Sequence, residues 1–184
     1  MTTTKHASST IKLALMAAMA VAGVAVSTAS HAAQATATAS GTVVAPIAIA
    51  VATNLAFGSF ARGTAGNVTV STSGVRTSTG PVLLGASTTS AARFNITGQA
   101  GATYSIVHSG TTVLTNTTGM GAETMTLTKF SDLTGANGTS GTAASGTLDA
   151  LGAQSLYVGG TLAVAATQSV GLYTGTVIAT VEYN

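Results

Sequence analysis

The sequence predicts an all-β fold, one β-sandwich that follows a removable N-terminal segment. Three observations carry this reading. Beyond Gln34 the apolar residues never recur at three and four over a long window; short β-branched runs alternate instead with Gly, Ser, Thr and Asn clusters. Several of those runs have period two, most plainly the last, where Val177, Ala179, Val181 and Tyr183 share one parity against Thr176, Thr180 and Glu182, interrupted only by Ile178. Removing 32 of the 184 residues leaves 152, enough for one core, and many short strands with Gly-rich turns at this size close as a sandwich more often than a barrel.

The first 32 residues read as a secretory signal peptide. Lys5, His6 and Lys12 form a basic start, residues 13–26 a short apolar run, and Ser30 with Ala32 supplies small residues ahead of a cleavage point, with Ala33 an alternative. The run falls short of the ~20 residues that a membrane span needs. The chain is therefore expected to be exported. Its domains are expected as 1–32 signal peptide, 33–43 N-terminal extension and 44–184 β-sandwich.

Strands are expected at 41–51, 55–60, 67–72, 81–85, 92–98, 103–108, 112–116, 124–130, 155–164 and 175–183. Pro46 inside the first places that strand at an edge or at a bend. Residues 134–146, "TGANGTSGTAASG", carry no apolar pattern and are expected to form a mobile surface loop.

Charge excludes several functions. After cleavage Arg62, Arg76, Arg93 and Lys129 face Glu123, Asp132, Asp149 and Glu182, a net charge near zero with no basic cluster for nucleic acid. So uncharged a surface leans towards assembly. With no cysteine, stability must come from packing and strand pairing. Enzymatic chemistry finds little to use. His108 is the one histidine of the mature part, no G-x-S-x-G elbow or phosphate loop occurs, and four scattered carboxylates make neither a metal set nor a catalytic pair. No catalytic residue, cofactor, metal or small-molecule substrate is expected.

The ends are more informative. In residues 33–44, "AQATATASGTVV", Ala35, Ala37, Ala39, Gly41 and Val43 share a parity opposite Thr36, Thr38, Ser40 and Thr42, which has strand form with small side chains. "ASGTVVAPIAI", "LAFGSF", "ARFNITGQAGATYSI", "SLYVGGTLAV" and "GLYTGTVIATVEYN", in that order, resemble the bacterial family of domain of unknown function 4402. The ends also resemble spore-coat-U-type and chaperone–usher pilin domains, with Gly171 fourteenth from the C-terminus and Tyr183 penultimate.

That resemblance implies an immunoglobulin-like, pilin-like sandwich short of one strand, with a groove along a C-terminal strand carrying Gly171, Tyr173, Val177, Ala179, Val181 and Tyr183. It implies a fimbria-like or coat subunit whose groove receives residues 33–43 of the next copy or of a related subunit, after a periplasmic chaperone and outer-membrane usher have handled it. Two departures stand out: no cysteine ties the first strand, and the donor segment is Ala-rich. A self-complemented monomer stays open as an alternative, as does a stand-alone adhesin-like module that binds a glycan or protein through loops such as 131–148.

Overall fold

The computed structural model describes residues 32–119 and 122–184; the expected signal peptide, except Ala32, lies outside them. The chain divides into two units, Met1–Gly41 and Thr42–Asn184. Of the first, residues 32–41 carry no regular structure and are exposed.

The second unit is all-β and sandwich-like, with no helix among the described residues. In chain order the strands are β1 (Ala48–Thr53), β2 (Phe60–Ala61), β3 (Gly66–Val70), β4 (Arg76–Thr79), β5 (Val82–Leu83), β6 (Ala92–Thr97) and β7 (Thr103–Gly110). They continue as β8 (Val113–Asn116), β9 (Thr124–Asp132), β10 (Ser145–Thr147), β11 (Ala153–Val164), β12 (Tyr173–Thr174) and β13 (Val177–Tyr183). Neighbouring strands pair antiparallel throughout. The large sheet runs β1-β6-β11-β9-β8-β12, with the β3–β4 hairpin joined to the far half of β11, and a small sheet runs β10-β7-β13.

Alternation explains the layering. On β6 Ala92, Phe94 and Ile96 are buried while Arg93, Asn95 and Thr97 are exposed; on β9 Met125 and Leu127 are buried between exposed threonines. The twelve-residue β11 is the spine, paired to β6 and then β3 along one edge and to β9 along the other. Its turn needs Gly152, whose φ is +73° and whose added Cβ would fall 2.2 Å from the Gly98 carbonyl, while Asp149 Oδ1 accepts the N–H groups of Leu151 and Ala153.

The core has two parts. One, between the sheets, gathers Phe94, Ile96, Leu156 and Val158 against Tyr104, Ile106, Leu148 and Val181. The other, Phe57, Val68, Val70, Met125, Leu127, Leu162 and Val164, lies on the half of the large sheet that the small sheet does not cover. Its cover is residues 55–60 and the β2–β5 ladder, with Leu55, Phe60, Leu83, Leu114 and Tyr173 packed around it. This incomplete cover creates the site.

The strand expectations need local correction. The first strand starts at Ala48, not residue 41, because Pro46 and the exposed residues before it lie ahead of the ladder; the expected edge position holds, since β1 pairs only with β6. Residues 55–60 give one bridge, Ala56 to Ser90, before β2. The 134–146 loop is tied down rather than loose. Thr72 N donates to Gly138 O at 3.0 Å, Gly138 N to Thr72 Oγ1 at 2.8 Å, Ser131 N to Gly141 O at 3.0 Å, and Ile106 N to Ala144 O at 2.8 Å.

Candidate functional site

A cleft of about 920 Å³ lies over the second core cluster. Its floor is Leu114, Met125, Leu127, Leu162 and Val164. One lip is residues 55–62, held from behind by Arg76, whose guanidinium donates to the carbonyls of Phe57 (2.8 Å), Ser59 (3.0 Å) and Leu84 (2.8 Å). The other lip is residues 168–177.

A polar network fixes that second lip. The exposed Glu123 carboxylate accepts Ser169 N–H at 3.0 Å and Ser169 O–H at 2.7 Å, and these two bonds hold its carboxyl below the ordinary glutamate value. The buried Asn116 donates through Nδ2 to Val170 O at 3.3 Å, and Thr117 N donates to Leu172 O at 2.8 Å. Gly171 passes directly beside Asn116: its φ is +152°, and a Cβ there would meet the Asn116 side chain at 2.4–2.8 Å. Only glycine fits that passage.

Beyond the cleft the second lip continues into β13, whose backbone has a definite polarity. Thr111 N donates to Thr176 O at 3.0 Å and Asn184 N to Thr103 O at 3.2 Å, which places the hydrogen-bonded pairs of the β7–β13 ladder at even-numbered β13 residues. Antiparallel alternation then turns the N–H and C=O groups of Val177, Ala179, Val181 and Tyr183 away from β7. Among the described residues no strand pairs with that outer edge. The same four residues are buried or half-buried, while Ile178, Thr180 and Glu182 are exposed.

The edges of β1 and β13 lie side by side. Ile47 and Ile49 pack on the same core cluster as Val177, Ala179 and Tyr183. The Tyr183 hydroxyl closes one end of the seam, donating to Ala45 O at 2.8 Å and accepting Gln99 N–H at 2.6 Å.

The expected site residues divide accordingly. Gly171, Tyr173 and Val177 line the cleft. Val181 belongs to the core, Ala179 is half-buried on the same strand, and Tyr183 forms the latch. Of the expected donor positions, Ala35, Ala37, Ala39 and Gly41 are exposed without regular structure, and Val43 is 98% exposed. The first lip and the floor were not anticipated as site residues. The signal lay in "LAFGSF", an apolar run whose glycine, Gly58 at φ +67°, breaks strand geometry.

Other polar groups serve structure. His108 lies within β7, short of the strand end, with Nε2 3.0 Å from both Ala143 O and Ser131 Oγ. Partial burial pushes Asp132 up, but bonds from Thr72 Oγ1 and from the N–H groups of Thr134, Gly135 and Ala136 outweigh it and hold the carboxyl low. Among the described residues no three His, Cys, Asp or Glu side chains gather as metal ligands. A shallower polar concavity, about 380 Å³, contains Arg93 and Tyr157, with the guanidinium carbon 6.0 Å from the ring centroid. Gly135 sits against that ring, where a Cβ would lie 3.3–3.4 Å from its carbons.

No curated protein and no solved structure matches the chain. Residues 47–183, which take in β1 through β13 and both lips of the cleft, match the family model for the domain of unknown function DUF4402, and the chain belongs to that family.

Proposed function

We propose that this protein is an exported, non-enzymatic structural subunit of a surface fimbria-like or coat assembly, polymerising by β-strand donation. The donor is residues 33–43 of another copy or a related subunit, and the acceptor is the outer edge of β13 with the cleft beside it. One observation carries the reading: an unpaired strand edge, its peptide groups facing outward, continues into an apolar cleft over half-covered core. Exposed edges of this kind invite pairing, and natural proteins cover them. An added strand would gain main-chain hydrogen bonds from the edge and register from alternate side chains entering the cleft. The low charge of the mature chain favours such association.

Deleting residues 33–43 tests this. The wild-type chain should run as a ladder of oligomers on an unboiled gel, and the deleted chain as a folded monomer without the ladder. A deleted protein that unfolds instead supports self-complementation. A wild-type chain that runs as one band, boiled or not, supports a stand-alone binding module.

A further inference from the structure

Arg62 bridges the mouth of the cleft. It follows β2 on the first lip, and its Nη1 donates to Gln168 O at 2.9 Å and Thr167 O at 3.4 Å on the opposite side. Arg62 and Gln168 both line the cleft, and Arg62 is its one charged lining residue. Among the described residues these are the only hydrogen bonds joining residues 55–62 to residues 167–177.

The second lip is held differently behind and in front. Behind, Glu123, Asn116 and Thr117 fasten residues 169–172 to the turn after β8 and the start of β9, on the lip's own side. In front a single exposed, flexible side chain does the holding. Glu123 acts across this arrangement too, since the Arg62 charge contributes to its lowered carboxyl after the two Ser169 bonds.

We infer that Arg62 is a clasp: it holds the lips of the empty cleft together and lets go when a strand is admitted. Its last step rests on the strand-acceptor reading; the closure itself does not. Phe60, Ala61, Arg62, Gln168 and Val177 all line one cleft, so a strand continuing from the β13 edge into it meets the guanidinium at Gln168. An incoming N–H can take over the Gln168 carbonyl, and the released guanidinium, already exposed, turns to water. The Thr167 carbonyl, on an exposed residue, turns to water as well, so release leaves no buried polar atom unpaired. Because the clasp favours the empty state alone, its removal must favour the filled one.

The test compares the full mature chain with Arg62→Ala and Arg62→Lys. Amide hydrogen exchange of residues 168–177 reports closure without any ligand, and anisotropy of a labelled peptide of residues 33–45 reports uptake. In Arg62→Ala those amides should exchange faster, and peptide uptake should be faster and tighter by on the order of tenfold, the scale of one charge-assisted hydrogen bond. Lysine, a single ammonium that still reaches a carbonyl, should fall between. Unchanged exchange overturns the clasp, and so does weaker uptake by Arg62→Ala, which would mean that Arg62 grips the filled cleft. Faster exchange with no uptake by any of the three chains supports the clasp and overturns the strand-acceptor reading.

Discussion

Replacing Ala179 with proline separates what β13 does for its own chain from what its outer edge offers another. The Ala179 N–H points away from β7, because the residue stands opposite His108 in a non-hydrogen-bonded pair. Proline there removes no bond of the β7–β13 ladder, and its ring projects into the open edge, the placement that sheets tolerate. The folded chain should stay within about 1 kcal/mol of wild type. Thr180→Pro is the control. That residue sits in a hydrogen-bonded pair with Val107, so its proline should cost about 2 kcal/mol or more and lower the urea midpoint.

For a joint between copies the order reverses. Val177, Ala179, Val181 and Tyr183 present about eight outward N–H and C=O groups, two on each residue. At about 0.5–1.5 kcal/mol per bond the ladder is worth roughly 4–12 kcal/mol. The Ala179→Pro substitution removes one donor near the middle and strands a carbonyl of the incoming strand in a seam without water. That is a loss of about 1–3 kcal/mol, or roughly 5- to 150-fold in affinity. Urea unfolding reads the first effect, and the unboiled ladder on a gel over a concentration series reads the second. An Ala179→Pro chain that is stable and assembles at wild-type concentrations would refute the use of this edge.

Two further substitutions probe the scaffold. Gly171→Ala should lower stability by about 2 kcal/mol, because φ +152° disfavours a side chain and Asn116 occupies the space a Cβ needs; an unchanged urea midpoint would show that Asn116 can swing away. Tyr104→Phe should be neutral or stabilising by about 1 kcal/mol. Among the described residues the buried Tyr104 hydroxyl finds no partner, and burial pushes its pKa up, so losing it removes an unmatched polar group; a clear loss in thermal midpoint would reveal a hidden partner.

Legibility in the sequence follows side-chain alternation. "ARFNIT" and "TMTLT" announce their buried faces residue by residue, as does the C-terminal strand, because one face of each meets the core and the other meets water. β4, "RTST", is invisible to that pattern: it buries little and exists because β3 offers it an edge. β10, "SGT", hides in a Gly-rich loop for the same reason, held by β7 rather than by its own propensity. In the site, the C-terminal alternation points to Val177 and the pilin resemblance to Gly171, whereas for Phe57 and Phe60 the sequence offers only the short apolar run "LAFGSF", and for Arg62 nothing. Their role arises from a segment leaving the ladder to cover another part of the chain, and periodicity carries no trace of that.

In the proposed joint, the balance between main chain and side chains follows from the mismatch of donor and cleft. Ala35, Ala37 and Ala39 each bring one methyl group, about 0.8 kcal/mol when fully buried, so the three together give roughly 2–3 kcal/mol. The backbone ladder is worth more than that over its whole range. A cleft of about 920 Å³ floored by Met125, Leu127 and Leu162 leaves such a donor underpacked, and the joint then depends on backbone groups above all. Ala37→Leu adds three carbons that the cleft can bury, so it should tighten the joint by about 2 kcal/mol, roughly thirtyfold, if residue 37 enters the cleft. The measurement is the heat needed to dissolve the ladder. A rise places the side chain of residue 37 in the cleft. An unchanged ladder would mean that this part of the extension pairs along the Tyr183 end or not at all, and would count against a donor that reaches the cleft through its alanines.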